Sequence, residues 1–95
     1  MARLTLTPRE AEAAGALALQ GLTFLAGDAE RLSRFLALTG CGPADIRAQA
    51  HTAEFQASVL EHLLADESLL LLFASETGIR PDLIAPAHAI LSSAA

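Results

Sequence analysis

The chain has 95 residues, enough for one domain, and it is rich in Ala (21) and Leu (18) with a single Val, a composition that favours helices over strands. Eleven acidic residues outweigh six Arg, there is no Lys, and the net charge is −5, so the chain lacks the clustered basic residues of a nucleic-acid-binding protein. No apolar run approaches the roughly 20 residues of a membrane-spanning helix, so we expect a soluble protein with no membrane span and no nucleic-acid partner.

Residues that cap and stop helices divide the chain into short helices. Thr7 caps the first one, Pro8 takes the first helical position, where no N–H is needed, and Glu10 completes a capping box. The later helices follow an Asp or Thr cap or begin at a proline, and glycines stop the first, second and fifth helices. The five predicted helices are 8–26, 28–39, 43–50, 52–65 and 66–77, and the second, fourth and fifth of these ranges begin at the capping residue.

The last segment contains two prolines. Pro81 starts it, and Pro86 would occupy the sixth helical position, where a proline removes a backbone hydrogen bond and clashes with the carbonyl four residues earlier. We therefore predict a short turn over Pro81–Ala85 and a terminal helix from Pro86 to about Ser92. The residues after Ser92 are predicted to fray.

The two halves of the chain resemble each other at a period of 38 residues. An ungapped alignment of Asp28–Ile46 with Asp66–Ile84 makes seven of nineteen positions identical. Shared capping and stop residues alone would explain the Asp, Gly and Pro pairs, but not the Leu, Phe, Thr and Ile pairs. The identical pairs are Asp28/Asp66, Leu32/Leu70, Phe35/Phe73, Thr39/Thr77, Gly40/Gly78, Pro43/Pro81 and Ile46/Ile84.

This period predicts a duplicated all-α fold. We expect one domain over residues 1–95, a small bundle of about six helices made of two pseudo-equivalent helical-hairpin halves at about 8–50 and 52–92. Each half is too small to bury its apolar face alone, so the two halves must pack together. If the halves share only their capping and stop residues, the duplication is not real. A real duplication therefore requires that Phe35 and Phe73 are equally buried and that the backbone follows the same path at both stop glycines.

Two runs of the sequence resemble a known family. They are FLAGDAERLSRFLALTGCGPADIRAQA and FQASVLEHLLADESLLLLFASETGIRP, and the most specific part is RFLALTG at residues 34–40. The family is a group of short bacterial helical proteins catalogued as domain of unknown function 3572, and the similarity covers residues 20–91. It implies a single all-helical domain and assigns no catalytic or binding residue. The chain departs from the family at Cys41 and Gly42, where an apolar residue and a polar cap are expected.

Three histidines raise the possibility of a metal or acid–base site. His51 precedes Glu54 by three residues and His62 precedes Asp66 by four, so each pair can share a helix face. A zinc site normally gathers three or four ligands, and a carboxylate-bridged helical site needs Glu-x-x-His on two helices, but neither pattern occurs. We therefore expect no cofactor, no metal and no catalytic residue. The alternative is a metal or small-molecule binding protein or an enzyme that uses His51, His62 and nearby carboxylates.

The single cysteine is predicted to have a structural role. Cys41 follows the stop glycine of the second helix, and its counterpart in the repeat is Ile79. A small buried hydrophobe at this position would fold back onto the preceding helix in a Schellman-type end. Because one cysteine forms no intramolecular disulfide, the cytoplasm is the expected location.

A stripe of small residues lies on the first helix. Gly15 and Gly21 each cost about 1 kcal/mol relative to Ala in a helix interior, and they share a face with Ala14 and Ala18. Another helix could pack closely against this smooth stripe. The packing partner is either a helix of the same domain or a helix of a separate chain, and both remain open.

The fifth helix is apolar almost all round. Leu69 and Leu72 stand where the second helix has Arg31 and Arg34, so the side that is charged in one helix is apolar in the other. Either another part of the chain covers this side, or it forms an interface. We therefore expect a non-catalytic protein–protein interaction module, with a protein partner or a second copy in a homodimer. The candidate interface residues are Leu69, Leu72, Ala14, Gly15, Ala18 and Gly21.

Overall fold

A computed structural model of the chain describes residues 8–94, and the predicted cap Thr7 lies outside them. Six α-helices and one short 3-10 turn form this part of the chain, and no strand occurs in it, so the all-α prediction is confirmed. In chain order they are α1 (Pro8–Ala26), α2 (Ala29–Thr39), α3 (Pro43–Gln49), α4 (Ala53–Leu64), α5 (Glu67–Thr77), the 3-10 turn Pro81–Leu83 and α6 (Ile84–Ala94).

Side chains cap the helix starts as the sequence predicts. Asp28, Thr52 and Asp66 each accept hydrogen bonds from backbone N–H groups of the first helical turn, at 3.0 to 3.2 Å. These bonds satisfy donors that have no partner within the helix. At α3, Gly42 has no side chain to offer, and instead its own N–H donates to the Asp45 carboxylate at 2.8 Å. Proline at the first position and Asp45 therefore define the start of α3.

α2 and α5 end in the same way. Gly40 and Gly78 both have a φ of 75°, the left-handed region, and the N–H of each glycine donates to the carbonyl four residues earlier. The threonine before each glycine donates its hydroxyl to the carbonyl of a phenylalanine at 2.7 Å. The same hydroxyl accepts the N–H of the residue after the glycine, Cys41 or Ile79.

These bonds correct one detail of the prediction. The N–H of Cys41, like that of Ile79, bonds a threonine hydroxyl instead of a helix carbonyl, so both ends are of the simpler αL type and not of the Schellman type. The hydrophobic part of the prediction is confirmed, since both side chains are half-buried and pack against the core. The recurrence of Thr and Gly at the 38-residue period follows from this shared helix end, to which the phenylalanines contribute only their backbone carbonyls.

Aromatic contacts between the halves also follow the 38-residue period. The rings of Phe24 and Phe73 meet edge to face at 5.3 Å between centroids, and those of His62 and Phe35 do so at 5.2 Å. Phe24 and His62 lie 38 residues apart, as do Phe35 and Phe73, so the two contacts occupy equivalent positions in the sequence. Phe35 and Phe73 are both completely buried. The duplication of the whole half stays a prediction, supported by these local correspondences.

The terminal segment differs from its prediction. α6 begins at Ile84, two residues earlier than predicted, after the 3-10 turn that starts at Pro81. Pro86 is then the third residue of α6, where the N–H would have no partner within the helix, so the proline causes no break. The helix also includes Ser93 and Ala94, which the sequence predicted to fray. In the first half, by contrast, α3 begins directly at its proline.

The core lies between α1, α4 and α6, which make the most extensive contacts with one another. α2 packs on α1, and α5 packs on α4. The completely buried side chains share one cluster and come from five of the six helices. They are Leu25, Phe35, Val59, Leu60, Leu63, Phe73, Ile84 and Leu91.

The left-handed stop glycines yield a stability prediction. We expect Gly78→Ala to lower the free energy of unfolding by about 1 kcal/mol, because a Cβ disfavours positive φ. A Cβ at Gly78 would meet no atom within 4 Å, so no clash contributes. Gly27→Ala is the matched control, since Gly27 ends α1 without a positive φ. Urea unfolding of both variants measures the difference, and equal losses would contradict the prediction.

Candidate functional site

The two histidines singled out by the sequence lie in separate depressions of the surface. His51 is exposed just before α4 and borders a groove with Gln56 and Ala53. His62, near the end of α4, is half-buried and borders a small pocket of about 140 Å³. Between residues 8 and 94, no three His, Cys, Asp or Glu side chains gather as a group that could hold a metal ion. The structure does not bring His51 and His62 into one site.

Packing dominates the environment of His62. Its ring stands edge-on to Phe35, with 5.2 Å between the ring centroids, and its Nε2 atom is buried without a hydrogen-bond partner in the described chain. Burial lowers the pKa of His62 below the ordinary value of 6.5, the Asp66 carboxylate raises it in part, and Arg34 lowers it further. A neutral imidazole therefore suits this position better than a charged one.

The pocket beside His62 holds charges of both signs. Arg31 and Arg34 line it together with Asp28, Glu30 and Asp66, and Leu69 closes one side. The Asp28 and Asp66 carboxylates already accept backbone N–H groups as helix caps. The Arg31 guanidinium lies 4.4 Å from the centroid of the Phe24 ring and 3.7 Å from Glu76. Three of the five charged side chains of this pocket are thus already engaged, Asp28 and Asp66 by backbone N–H groups and Arg31 by Phe24 and Glu76, which favours a structural role.

The small-residue stripe of α1 faces the inside of the domain. Ala14, Gly15, Ala18 and Gly21 are all buried. A Cβ on Gly21 would lie only 3.1 Å from a methyl carbon of Leu63 on α4, and one on Gly15 would lie 3.0 Å from the Gln56 side-chain oxygen. The stripe therefore allows α1 and α4 to approach closely within the domain. Of the two packing partners left open by the sequence, the structure shows the intramolecular one.

The apolar side of α5 is only partly covered. Leu69 is half-buried and packs against the core, whereas Leu72 is 39% exposed and Leu71 is 50% exposed. Ser68 and Ser75 are also exposed, and around the helix axis they lie between these two leucines. Of the two leucines selected from the sequence, Leu72 is exposed and Leu69 is not. The second exposed leucine of α5 is Leu71, next to Leu72.

The outer face of α1, opposite the small-residue stripe, is a further candidate surface because most of it is uncharged. α1 has no charged residue after Glu12, so the face is uncharged for 14 residues, or about 21 Å of helix. Its exposed positions in this stretch are Ala13, Ala16, Gln20, Thr23 and Ala26. A surface helix usually carries charged residues on its solvent side, whereas the polar side chains here are only the uncharged Gln20 and Thr23.

Three grooves flank the outer face of α1. The largest, about 500 Å³, runs between α1 and α6, with Ala16 and Leu17 on one wall and Leu83 and Ile90 on the other. A second groove, of about 430 Å³, lies between α1, the start of α4 and the end of α6. A third, of about 390 Å³, lies between α1 and the end of α5. Ala16 borders the first two grooves, and Gln20 borders the first and third. We call this face with its three grooves the α1 surface.

Sequence reasoning did not select the α1 surface. The signal that could have found it is the absence of charge after Glu12, which applies to the exposed positions as well as to the buried ones. α6 carries no Asp, Glu, Lys or Arg either, so Glu10 is the one charged side chain among the described residues that line the largest groove. The grooves themselves depend on how α1 and α6 pack, which no local sequence pattern predicts.

The buried histidine yields a pH prediction. Because folding lowers the pKa of His62, the unfolded chain binds more protons near the ordinary pKa of histidine. The contribution of His62 to stability is therefore complete above about pH 6.5 and is lost as the pH falls. His62→Phe preserves the ring contact with Phe35 and removes the titration. We expect the free energy of unfolding of this variant to fall less than that of the wild type between about pH 7.5 and about pH 5.5.

Chemical unfolding at several pH values measures this difference. Circular dichroism confirms that the variant keeps its helices. Parallel loss of stability in the two proteins as the pH falls would contradict a lowered pKa of His62.

Comparisons with known proteins identify the family of the chain. In the described part of the chain, no helix is both long enough and apolar enough to cross a membrane. Neither a curated protein nor a solved structure matches the chain. A family model described as protein of unknown function (DUF3572) matches residues 11–94, which include all of α2 to α6 and α1 from its fourth residue. The chain therefore belongs to the DUF3572 family.

Proposed function

We propose that the protein is a non-catalytic, cytoplasmic interaction module that binds a helix of a protein partner on the α1 surface. The observation that carries the proposal is the uncharged outer face of α1 beside the groove of about 500 Å³. Apolar grooves between helices are a common binding site for amphipathic helices, whose anchors at positions i, i+3 or i+4, and i+7 enter the groove. The size of the groove falls in the usual range for binding sites, about 300 to 1,000 Å³.

The shape of the α1 surface supports a helical ligand. Ala13 and Ala16 form a low ridge, so a second helix can lie close to α1 without displacing large side chains. Leu17 and Ile90 supply apolar walls in the adjacent groove, and Leu83 is 46% exposed beside it. Exposed apolar surfaces with such grooves mark interaction sites more often than catalytic ones when no reactive group lines them. The largest groove is lined by one titratable side chain, Glu10.

A selection experiment tests the proposed function. The immobilised protein is exposed to a displayed library of helical peptides with randomised side chains, and bound peptides are counted on the wild type and on Ala16→Trp. Ala16 is exposed and borders two grooves, so a large uncharged side chain there blocks binding without disturbing the core. We expect enriched peptides that bind the wild type at least about tenfold more tightly than Ala16→Trp.

Ala37→Trp is the matched control for this selection. Ala37 is exposed on α2 and borders none of the grooves beside α1, so this variant gains the same apolar side chain at a different place. It should bind the enriched peptides as tightly as the wild type. A selection that enriches no peptide sensitive to Ala16→Trp rules out the α1 surface as a binding site for helices.

Self-association through α5 is a second candidate function, favoured by the exposure of Leu71 and Leu72. On a helical wheel, Ser68 and Ser75 lie at the centre of the exposed face, with one leucine on each side. An antiparallel second copy of α5 could therefore approach closely at the serines, while leucines pack against leucines on both edges. Such a contact is isologous, as closed twofold dimers require.

We expect the combined change Leu71→Glu and Leu72→Glu to abolish any dimer while the helices remain folded. Leu69 is left intact because it packs against the core, so its replacement would test folding instead of association. Leu38→Glu is the control, since Leu38 is 71% exposed on α2. Sedimentation and circular dichroism at the same concentrations measure both effects. A wild type that stays monomeric at high concentration would exclude this candidate.

A further inference from the structure

We propose that the helix bound by the α1 surface is α1 of a second copy of the chain, packed antiparallel about a twofold axis at the level of residue 18. This inference rests on the proposed function and names its partner. It concerns a different face from the self-association through α5. Three features of α1 carry it: the spacing of its exposed positions, the order of their sizes along the helix, and the charges at its two ends.

The exposed positions of α1 follow the seven-residue pattern of a coiled coil. The steps between them alternate between four and three residues, and the positions are Arg9, Ala13, Ala16, Gln20, Thr23 and Gly27. At about 100° per residue, all six stay within a stripe about 80° wide. A stripe of this kind can contact one facing helix over its full length. Its four inner positions are uncharged and two of them are Ala, so the two helix axes can come close.

The order of sizes along this stripe fits an antiparallel copy. In a pair centred at residue 18, positions equally far from that residue lie opposite each other. Ala16 then faces Gln20 of the other copy and Ala13 faces Thr23, so each small side chain meets a larger one. A parallel pair would place every residue opposite itself, with Gln20 against Gln20 and gaps between alanines. The antiparallel contact is isologous, as closed twofold dimers require.

The charges at the two ends of α1 are complementary in the same register. Arg9 is exposed and forms no ion pair with another residue of the described chain. In the antiparallel pair it faces Gly27 of the other copy, next to the Asp28 carboxylate. Asp28 already accepts two backbone N–H groups, but a carboxylate has lone pairs for a further donor. Twofold symmetry forms this contact twice, which favours the antiparallel register over others.

The acidic residues near the start of α1 do not oppose this pairing. Glu10 already has an interaction partner in its own chain, and it faces the uncharged Ala26 of the other copy. Glu12 faces the end of α1 beside which Arg31 and Glu76 of the other copy form an ion pair, at 3.7 Å, that has no net charge. The register therefore places no unpaired carboxylates against each other along the stripe.

The groove between α1 and α6 gains a cover in the same dimer. The last turn of α6 lies beside Ala11 and Glu12, so α6 runs antiparallel to α1, and Leu83 lies beside the middle of α1. A twofold axis perpendicular to α1 keeps both copies of this groove on one side of the α1 pair. Leu17 and the 46% exposed Leu83 of each copy then face those of the other copy near the axis. A separate helix would bring no second α6 to this place.

Charges placed at two facing positions test the register. Ala13 and Thr23 are both exposed, so their replacement leaves the core intact. Ala13→Glu with Thr23→Glu puts like charges opposite each other in the dimer, and Ala13→Lys with Thr23→Lys does the same. Ala13→Glu with Thr23→Lys puts opposite charges there. The dimer dissociation constants of all variants are measured by sedimentation at about 50 mM salt, where charges are weakly screened.

We expect the wild type to form a dimer and each like-charge variant to dissociate at least about tenfold more readily. An equal mixture of the two like-charge variants should restore the dimer, because opposite charges then face each other. The opposite-charge variant should dimerise at least as tightly as the wild type. Leu71→Glu with Leu72→Glu is the control, since it changes the exposed face of α5 and should leave this dimer intact. Circular dichroism verifies the helices of every variant.

Other outcomes overturn the inference. A wild type that stays monomeric at high concentration refutes the second copy, and enriched peptides that depend on Ala16 then leave the proposed function intact. A dimer that both like-charge variants preserve uses another face. A dimer that the opposite-charge variant weakens as much as the like-charge variants do is not antiparallel about residue 18. A monomer, together with a selection that enriches no peptide sensitive to Ala16→Trp, refutes the proposed function and the inference together.

Discussion

The close approach of α1 and α4 organises the rest of the fold. It depends on Gly15 and Gly21, because a Cβ at either position would come within 3.0 or 3.1 Å of a side-chain atom on α4. Each glycine costs about 1 kcal/mol of helix stability relative to Ala, and the packing that it permits must offset this cost. With α1 and α4 so close, α6 can contact both, and the three helices enclose the core. α2 and α5 then attach at the outside of this layer.

Aromatic contacts join those outer helices to the opposite half. The Phe24–Phe73 contact joins α1 to α5, and Phe35 joins α2 to α4 through Phe55 and His62. Edge-to-face pairs of this kind contribute about 0.5 to 1.5 kcal/mol each beyond the area that they bury. At one of the equivalent positions the ring is the imidazole of His62, so we expect the stability of this contact to depend on pH. His62, the histidine that first suggested a catalytic or metal site, lies at the boundary of the core and packs against Phe35.

The two sides of α1 differ in the residues that they carry and in what covers them. Small residues on the inner side allow the close approach to α4, and the residues on the outer side leave an uncharged ridge between grooves. A helix of this composition is stable only because tertiary packing buries its inner stripe, including Ala14 and Ala18. The outer side has no such cover in the described chain, which is why we assign it to a partner. α5 shows the same division on a smaller scale, with Phe73 buried and Leu71 exposed.

The sequence by itself determined the first five helices to within a residue or two, because residues close in the chain set their ends. Asp28 and Asp66 cap donors within one turn, and Gly40 and Gly78 take a φ that other residues avoid, so neighbours in the chain suffice to locate these boundaries. Only the tertiary structure decided which surfaces are free. Ala14 and Ala16 are chemically identical neighbours on α1, yet one is in the core and the other borders two grooves. Their difference arises from the position of α4 and α6 around α1, which depends on contacts between residues far apart in the chain.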